Sequence, residues 1–102
     1  MRLENESIEE IQKDILEIVG RFLDLADYKV FFFGSRVTGK GDERSDIDIG
    51  IEGEDVIPFE VMSKIESEIQ SLPILYKIEI VDFKTVSSDF YEVAKQKIVF
   101  LN

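Results

Sequence analysis

The order of apolar patterns along the chain predicts an α/β (α+β) fold, a small sheet with helices packed against it. Three observations carry this. Ile8, Ile11, Ile15, Ile18, Val19 and Phe22 recur at helical spacing. Lys29 to Phe33 is a short apolar, aromatic run ending at Gly34, and Asp46 to Glu52 alternates carboxylate or glycine with isoleucine. A second helical pattern separates this alternation from a third apolar run, so helices and strands interleave.

The elements follow in order. Ser7-Ile8-Glu9-Glu10 has the form of a capping box and opens an amphipathic helix reaching about Leu25. Lys29–Phe33 reads as a buried strand. Gly34 and the residues to Thr38 form a loop with a short helical turn. Asp46–Glu52 reads as a strand with one apolar face. Pro58 opens a second helix that places Phe59, Met62, Ile65, Ile69 and Leu72 on its inner face and stops before Pro73. Leu75–Phe83 is a third strand, Ser88 or Asp89 caps a short helix holding Phe90, Val93 and Ala94, and Ile98–Leu101 is a last short strand.

With 102 residues the chain is expected to form one domain, 1–102, since two independent cores do not fit. A 44% hydrophobic and 11% aromatic composition belongs to a folded chain. No apolar run reaches the roughly 18 residues of a membrane span, and the N-terminus has no signal-peptide core, so the expected location is the cytoplasm. The chain has no cysteine and no histidine. Disulfides, thiolate metal sites and Ser-His or Cys-His mechanisms are therefore out, leaving carboxylates, hydroxyls, Lys, Arg or a hard, oxygen-bound metal. A net charge of −10 argues against nucleic acid as a surface partner, because phosphate backbones need clustered Lys and Arg.

The stretch from Val30 to Glu52 carries the chemistry. Gly34-Ser35-Arg36-Val37-Thr38-Gly39-Lys40 satisfies the P-loop pattern G-x-x-x-x-G-K directly after a strand. The match fails one residue later, where Gly41 stands in place of the hydroxyl that must ligate magnesium. Gly39, Gly41 and Asp42 also prevent a long helix from starting at Lys40.

The second feature is Ser45-Asp46-Ile47-Asp48-Ile49. Two residues apart on a strand, Asp46 and Asp48 leave the same face, while Ile47, Ile49 and Ile51 point into the core. Neighbouring carboxylates repel unless a cation lies between them. With oxygen donors alone that cation is Mg²⁺, with Mn²⁺ as the alternative. A bare pair of strand aspartates more often marks two solvated surface acids. The upstream loop adds backbone N–H groups, the Ser35 hydroxyl and the cations Arg36 and Lys40, where a triphosphate can rest.

Gly34-Ser35, Gly39 and Ser45-Asp46-Ile47-Asp48 together read G-S-x-x-x-G-x5-S-D-I-D. This resembles the signature of the DNA polymerase β-like nucleotidyltransferase superfamily, and within it the minimal nucleotidyltransferases, or MNT family. The resemblance covers nearly the whole chain. It implies the nucleotidyltransferase fold, a small mixed sheet with helices against it. It also implies two magnesium ions held by Asp46 and Asp48. Glu79, in Ile78-Glu79-Ile80-Val81-Asp82-Phe83, falls on the position of the third acid, a metal ligand and base, while Asp82 points to the other face. Gly34, Ser35, Arg36, Lys40 and Ser45 would line the site of ATP or another NTP. Two departures stand out: Glu79 replaces the usual aspartate, and Thr38 stands where many relatives carry arginine.

The implied reaction is transfer of a nucleoside monophosphate, AMP from ATP, to a hydroxyl with release of pyrophosphate. Larger relatives carry an acceptor domain that this sequence lacks, so the acceptor is expected from another molecule. Minimal nucleotidyltransferases commonly pair with a helical HEPN-type protein as the antitoxin of a toxin–antitoxin module, and a tyrosine of that partner is the implied acceptor. The competing expectation is a module of the same fold that neutralises its partner by contact alone. A stand-alone enzyme acting on a small molecule is a third reading. Homo- and hetero-oligomers both remain open.

Overall fold

The computed structural model describes residues 8–34, 37 and 46–102. Four strands form one mixed sheet: β1 (Tyr28–Phe33), β2 (Ile47–Gly53), β3 (Ile78–Asp82) and β4 (Val99–Phe100), in the order β3-β2-β1-β4. β1 runs antiparallel to both neighbours, with Phe33 opposite Asp48 and Phe31 opposite Phe100. β2 and β3 run parallel, which requires a crossover, and α2 (Phe59–Gln70) supplies it.

One face of the sheet is covered by α1 (Ile8–Phe22) and α2. Ile11, Ile15, Ile18 and Val19 form the buried stripe of α1, and Ile65 and Ile69 that of α2. They pack on Val30, Phe32, Ile47, Ile49, Ile51 and Ile78. Full burial of each such side chain contributes about 1.5–3 kcal/mol. At the helix surface Arg21 of α1 donates to Glu68 of α2.

The opposite face has a smaller aromatic core. Phe31 and Phe33 meet Phe83 edge-on at ring separations of 4.8 and 5.0 Å, and Tyr91 and Ala94 of α3 (Ser88–Ala94) pack against the same rings. Burial on both faces explains why β1 reads as an unbroken apolar run while β2 alternates. A side chain at Gly50 would collide with the Phe31 and Phe83 rings, so glycine is what lets them cross the sheet there.

Several sequence expectations shift. Phe59 points outward, 84% exposed, because six positions separate it from Ile65, or 1.67 turns. The third strand begins at Ile78, not Leu75. Its parallel partner β2 starts at Ile47, so residues upstream of Lys77 have no ladder to join. Asp46 likewise lies just ahead of β2. Ser87 caps α3, not Ser88 or Asp89: it has extended backbone, and its hydroxyl accepts from the Phe90 N–H at 3.2 Å. Val93 points to solvent. The capping box at Ser7 lies outside the described residues.

Candidate active site

β1 is followed by Gly34, whose φ of +87° lies in the left-handed region that favours glycine. The Val37 N–H donates to the Gly34 carbonyl at 3.1 Å and closes a turn. A Cβ at Gly34 would run into Oδ2 of Asp48. The carboxylate therefore occupies the space that any side chain at position 34 would need, and the glycine is tied to the acid as well as to the turn.

Asp48 sits in β2 between two strands. Phe33 is its register partner on β1 and Glu79 its partner on β3. Asp46 precedes the strand by one residue. Asp48 and Glu79 leave the sheet on the face opposite α1 and α2, since Ile47, Ile49 and Ile78 fill the other side. Burial, then the charges of Glu79 and Asp46, push the Asp48 carboxyl up to about 6. The three acids thus share one electrostatic environment, with Asp48 at its centre.

The donor set is all carboxylate oxygen, the chemistry that suits a hard divalent cation. Among the described residues, no group of three or more acids is arranged so as to hold a metal ion. Glu79 instead pairs with Lys77 at 3.3 Å, both side chains about half exposed or more. Such surface pairs contribute little, so this one is a weak restraint on the Glu79 side chain. Of the other nucleotide-lining candidates, Ser35, Arg36, Lys40 and Ser45 lie outside the described residues.

Asp82 plays a different part. Its buried carboxylate accepts from the N–H groups of Ile57 and Lys84, each at 2.9 Å, and so fastens the β2–α2 connection to the end of β3. A polar network that the sequence did not announce occupies the acid face further along β2. Glu52 accepts from the Tyr91 hydroxyl at 2.5 Å and from Lys95 Nζ at 2.7 Å. Burial raises the Glu52 carboxyl, but these two hydrogen bonds together with the charges of Lys95 and Lys84 outweigh it and hold the group below its ordinary value. Only the parity shared by Glu52 and Asp48 hinted that they lie on one face.

Residues 13–102 match the family described as polymerase beta, nucleotidyltransferase, and the chain belongs to that family. It is a nucleotidyltransferase by fold and by descent. Within the family it is similar to a Haemophilus influenzae protein named probable protein adenylyltransferase MntA, 30% identical over 94 residues that span 90% of this chain and 82% of that protein. Among solved structures it resembles a toxin–antitoxin complex with AMP-PNP, with a TM-score of 0.71 and 18% identity over 89% of this chain and 72% of the matched one. It also resembles a complex of tri-AMPylated Shewanella oneidensis HEPN toxin with MNT antitoxin, with a TM-score of 0.69 and 14% identity over 93% and 72%. At these identities the structural likeness speaks for the fold.

Proposed function

We propose that the chain transfers AMP from ATP to a hydroxyl of a HEPN-type partner protein, a tyrosine above all, and acts as the antitoxin of the pair. The observation that carries this reading is the crowding of Asp48 between Glu79 and Asp46, directly against the backbone of the Gly34 turn. A carboxyl raised by burial and by two like charges is the kind of group that a bound cation would relieve. The kinship with an adenylyltransferase named MntA, and the likeness to complexes of HEPN toxin with MNT antitoxin, support the choice of nucleotide and acceptor.

Asp46 and Asp48 would hold magnesium, with Glu79 as third ligand once its side chain leaves Lys77. A divalent cation bound there offsets the charge of the triphosphate and the charge that develops during in-line displacement. Gly34 and Ser35 would receive the β- and γ-phosphate oxygens, with Arg36, Lys40 and Ser45 lining the same triphosphate. Glu79, half exposed and the register partner of Asp48, would take the proton of the attacking hydroxyl. Attack requires that hydroxyl to be held about 3–3.5 Å from phosphorus, which a docked protein can do and a freely diffusing acceptor rarely does.

One observation favours a second reading, neutralisation by contact alone: among the described residues the acids do not form a closed metal set. A single experiment separates the two. The purified chain is incubated with ATP, Mg²⁺ and the co-encoded helical partner, and the partner is weighed by mass spectrometry. AMP-sized increments that vanish with Asp46→Asn/Asp48→Asn, together with loss of neutralisation, support the enzyme. Neutralisation by the double variant as complete as by the unmutated chain establishes the contact module.

A further inference from the structure

Two phenylalanine rings on the acid face of the sheet remain exposed, Phe90 on α3 at 42% and Phe100 on β4 at 54%. They lie at different distances from the carboxylates. Phe100 pairs with Phe31, two residues back along β1. Phe90 packs against Phe33, the register partner of Asp48, with ring centroids 6.1 Å apart. Phe33 itself is buried at 6% exposure. The carboxylate end of the site and the open Phe90 ring therefore flank a single buried side chain.

The Phe90 ring is also fixed in orientation. Phe33 meets it at 81° and Phe83 meets it at 5.8 Å and 56°, so neither neighbour stacks upon it. A preset aromatic ring with free surface, on the same sheet face as Asp48 and Glu79, matches a ligand that is charged at one end and flat and aromatic at the other. A nucleoside triphosphate is such a ligand. With its phosphates at Gly34 and Asp48, a base that reached across Phe33 would meet the Phe90 ring.

We propose that Phe90 is the stacking platform for the nucleobase of the bound NTP and gives the site a preference for purines. The inference rests on the nucleotidyltransferase reading and extends it to the base. Stacking depends on π-surface, which every base offers and purines offer most. A phenylalanine makes no hydrogen bond to a base edge, so this residue favours ATP and GTP over CTP and UTP without separating adenine from guanine.

The test is calorimetry on the full chain with Mg²⁺, comparing ATP, CTP and inorganic tripolyphosphate. Phe90→Leu keeps an apolar side chain against Phe33 and Phe83 but removes the ring, and Phe90→Tyr keeps the ring. The expected result is about tenfold weaker ATP binding in Phe90→Leu, a narrowed gap between ATP and CTP, unchanged tripolyphosphate binding, and ATP binding retained in Phe90→Tyr. Equal losses for ATP and tripolyphosphate in Phe90→Leu would overturn the proposal, since the substitution would then be acting through Phe33 and Asp48. Unchanged ATP affinity with weakened binding of the co-encoded protein would overturn it too and make Phe90 a contact for that protein. If the unmutated chain binds neither ATP nor tripolyphosphate, the nucleotidyltransferase reading itself fails and this inference falls with it.

Discussion

Replacing Asp48 by asparagine removes the charge that burial, Glu79 and Asp46 jointly oppose. The carboxyl stands at about 6 in the fold against 3.8 in the unstructured chain. Each unit of such a difference corresponds to 1.36 kcal/mol, so the full shift of roughly two units sets an upper bound of about 3 kcal/mol. Water reaches the half-buried carboxylate and screens its neighbours, which reduces the figure to roughly 1–1.5 kcal/mol. Because the folded value is raised, the fold binds this proton more tightly than the unfolded chain does. The penalty is absent below about pH 4, grows between about pH 4 and 6, and is complete above. Asp48→Asn should therefore raise the melting temperature by about 5 °C near pH 7.5, and the gain should shrink toward zero near pH 4. Circular dichroism melts of both proteins across this range provide the assay. The same substitution should abolish transfer, the pattern of a site kept at the expense of stability. A pH-independent difference, or a variant less stable than the unmutated chain near pH 7.5, would refute the crowding of charge on which the site rests.

Gly34→Ala combines a left-handed φ with a collision against Asp48, so it should destabilise the fold by about 1–3 kcal/mol in urea titrations and eliminate transfer. Asp82→Ala removes the acceptor of the Ile57 and Lys84 amides and should cost about 2–3 kcal/mol by the same titrations. The folded fraction of Asp82→Ala should bind NTP normally, which separates this structural acid from the candidate ligands. Magnesium at about ten times its dissociation constant should stabilise the unmutated chain by about 1.4 kcal/mol in thermal melts and leave Asp46→Asn/Asp48→Asn unmoved.

Much of this architecture was legible because it is periodic. The isoleucines of α1 and the alternation of β2 fix which face each element buries, and the same parity separates Asp48 from Ile47 and Ile49. The resemblance sets Asp82 on the opposite face from Glu79, where its amide partners account for it. What stayed hidden depends on contacts between distant residues. The neighbourhood of Glu79 and Asp48 is legible only through the family resemblance, since nothing local to Ile78-Glu79 dictates it, and nothing in the Gly34 turn says that its missing side chain makes room for a carboxylate. The Glu52–Tyr91–Lys95 network joins elements about forty residues apart. Phe59 escapes the pattern because an apolar residue in a first helical turn resembles part of the stripe, while its angle to Ile65 turns it to solvent.

The central claim is that these carboxylates serve nucleotidyl transfer, in which the α-phosphate leaves with the nucleoside and the β- and γ-phosphates depart together. Parallel single-turnover reactions with the proposed HEPN-type partner, one using ATP labelled at the α-phosphate and the other at the γ-phosphate, test it directly. The α-label should become covalently attached to the partner while the γ-label appears only in pyrophosphate, both lost in Asp46→Asn/Asp48→Asn. Attachment of the γ-label, or α-labelling that survives in the double variant, would contradict it.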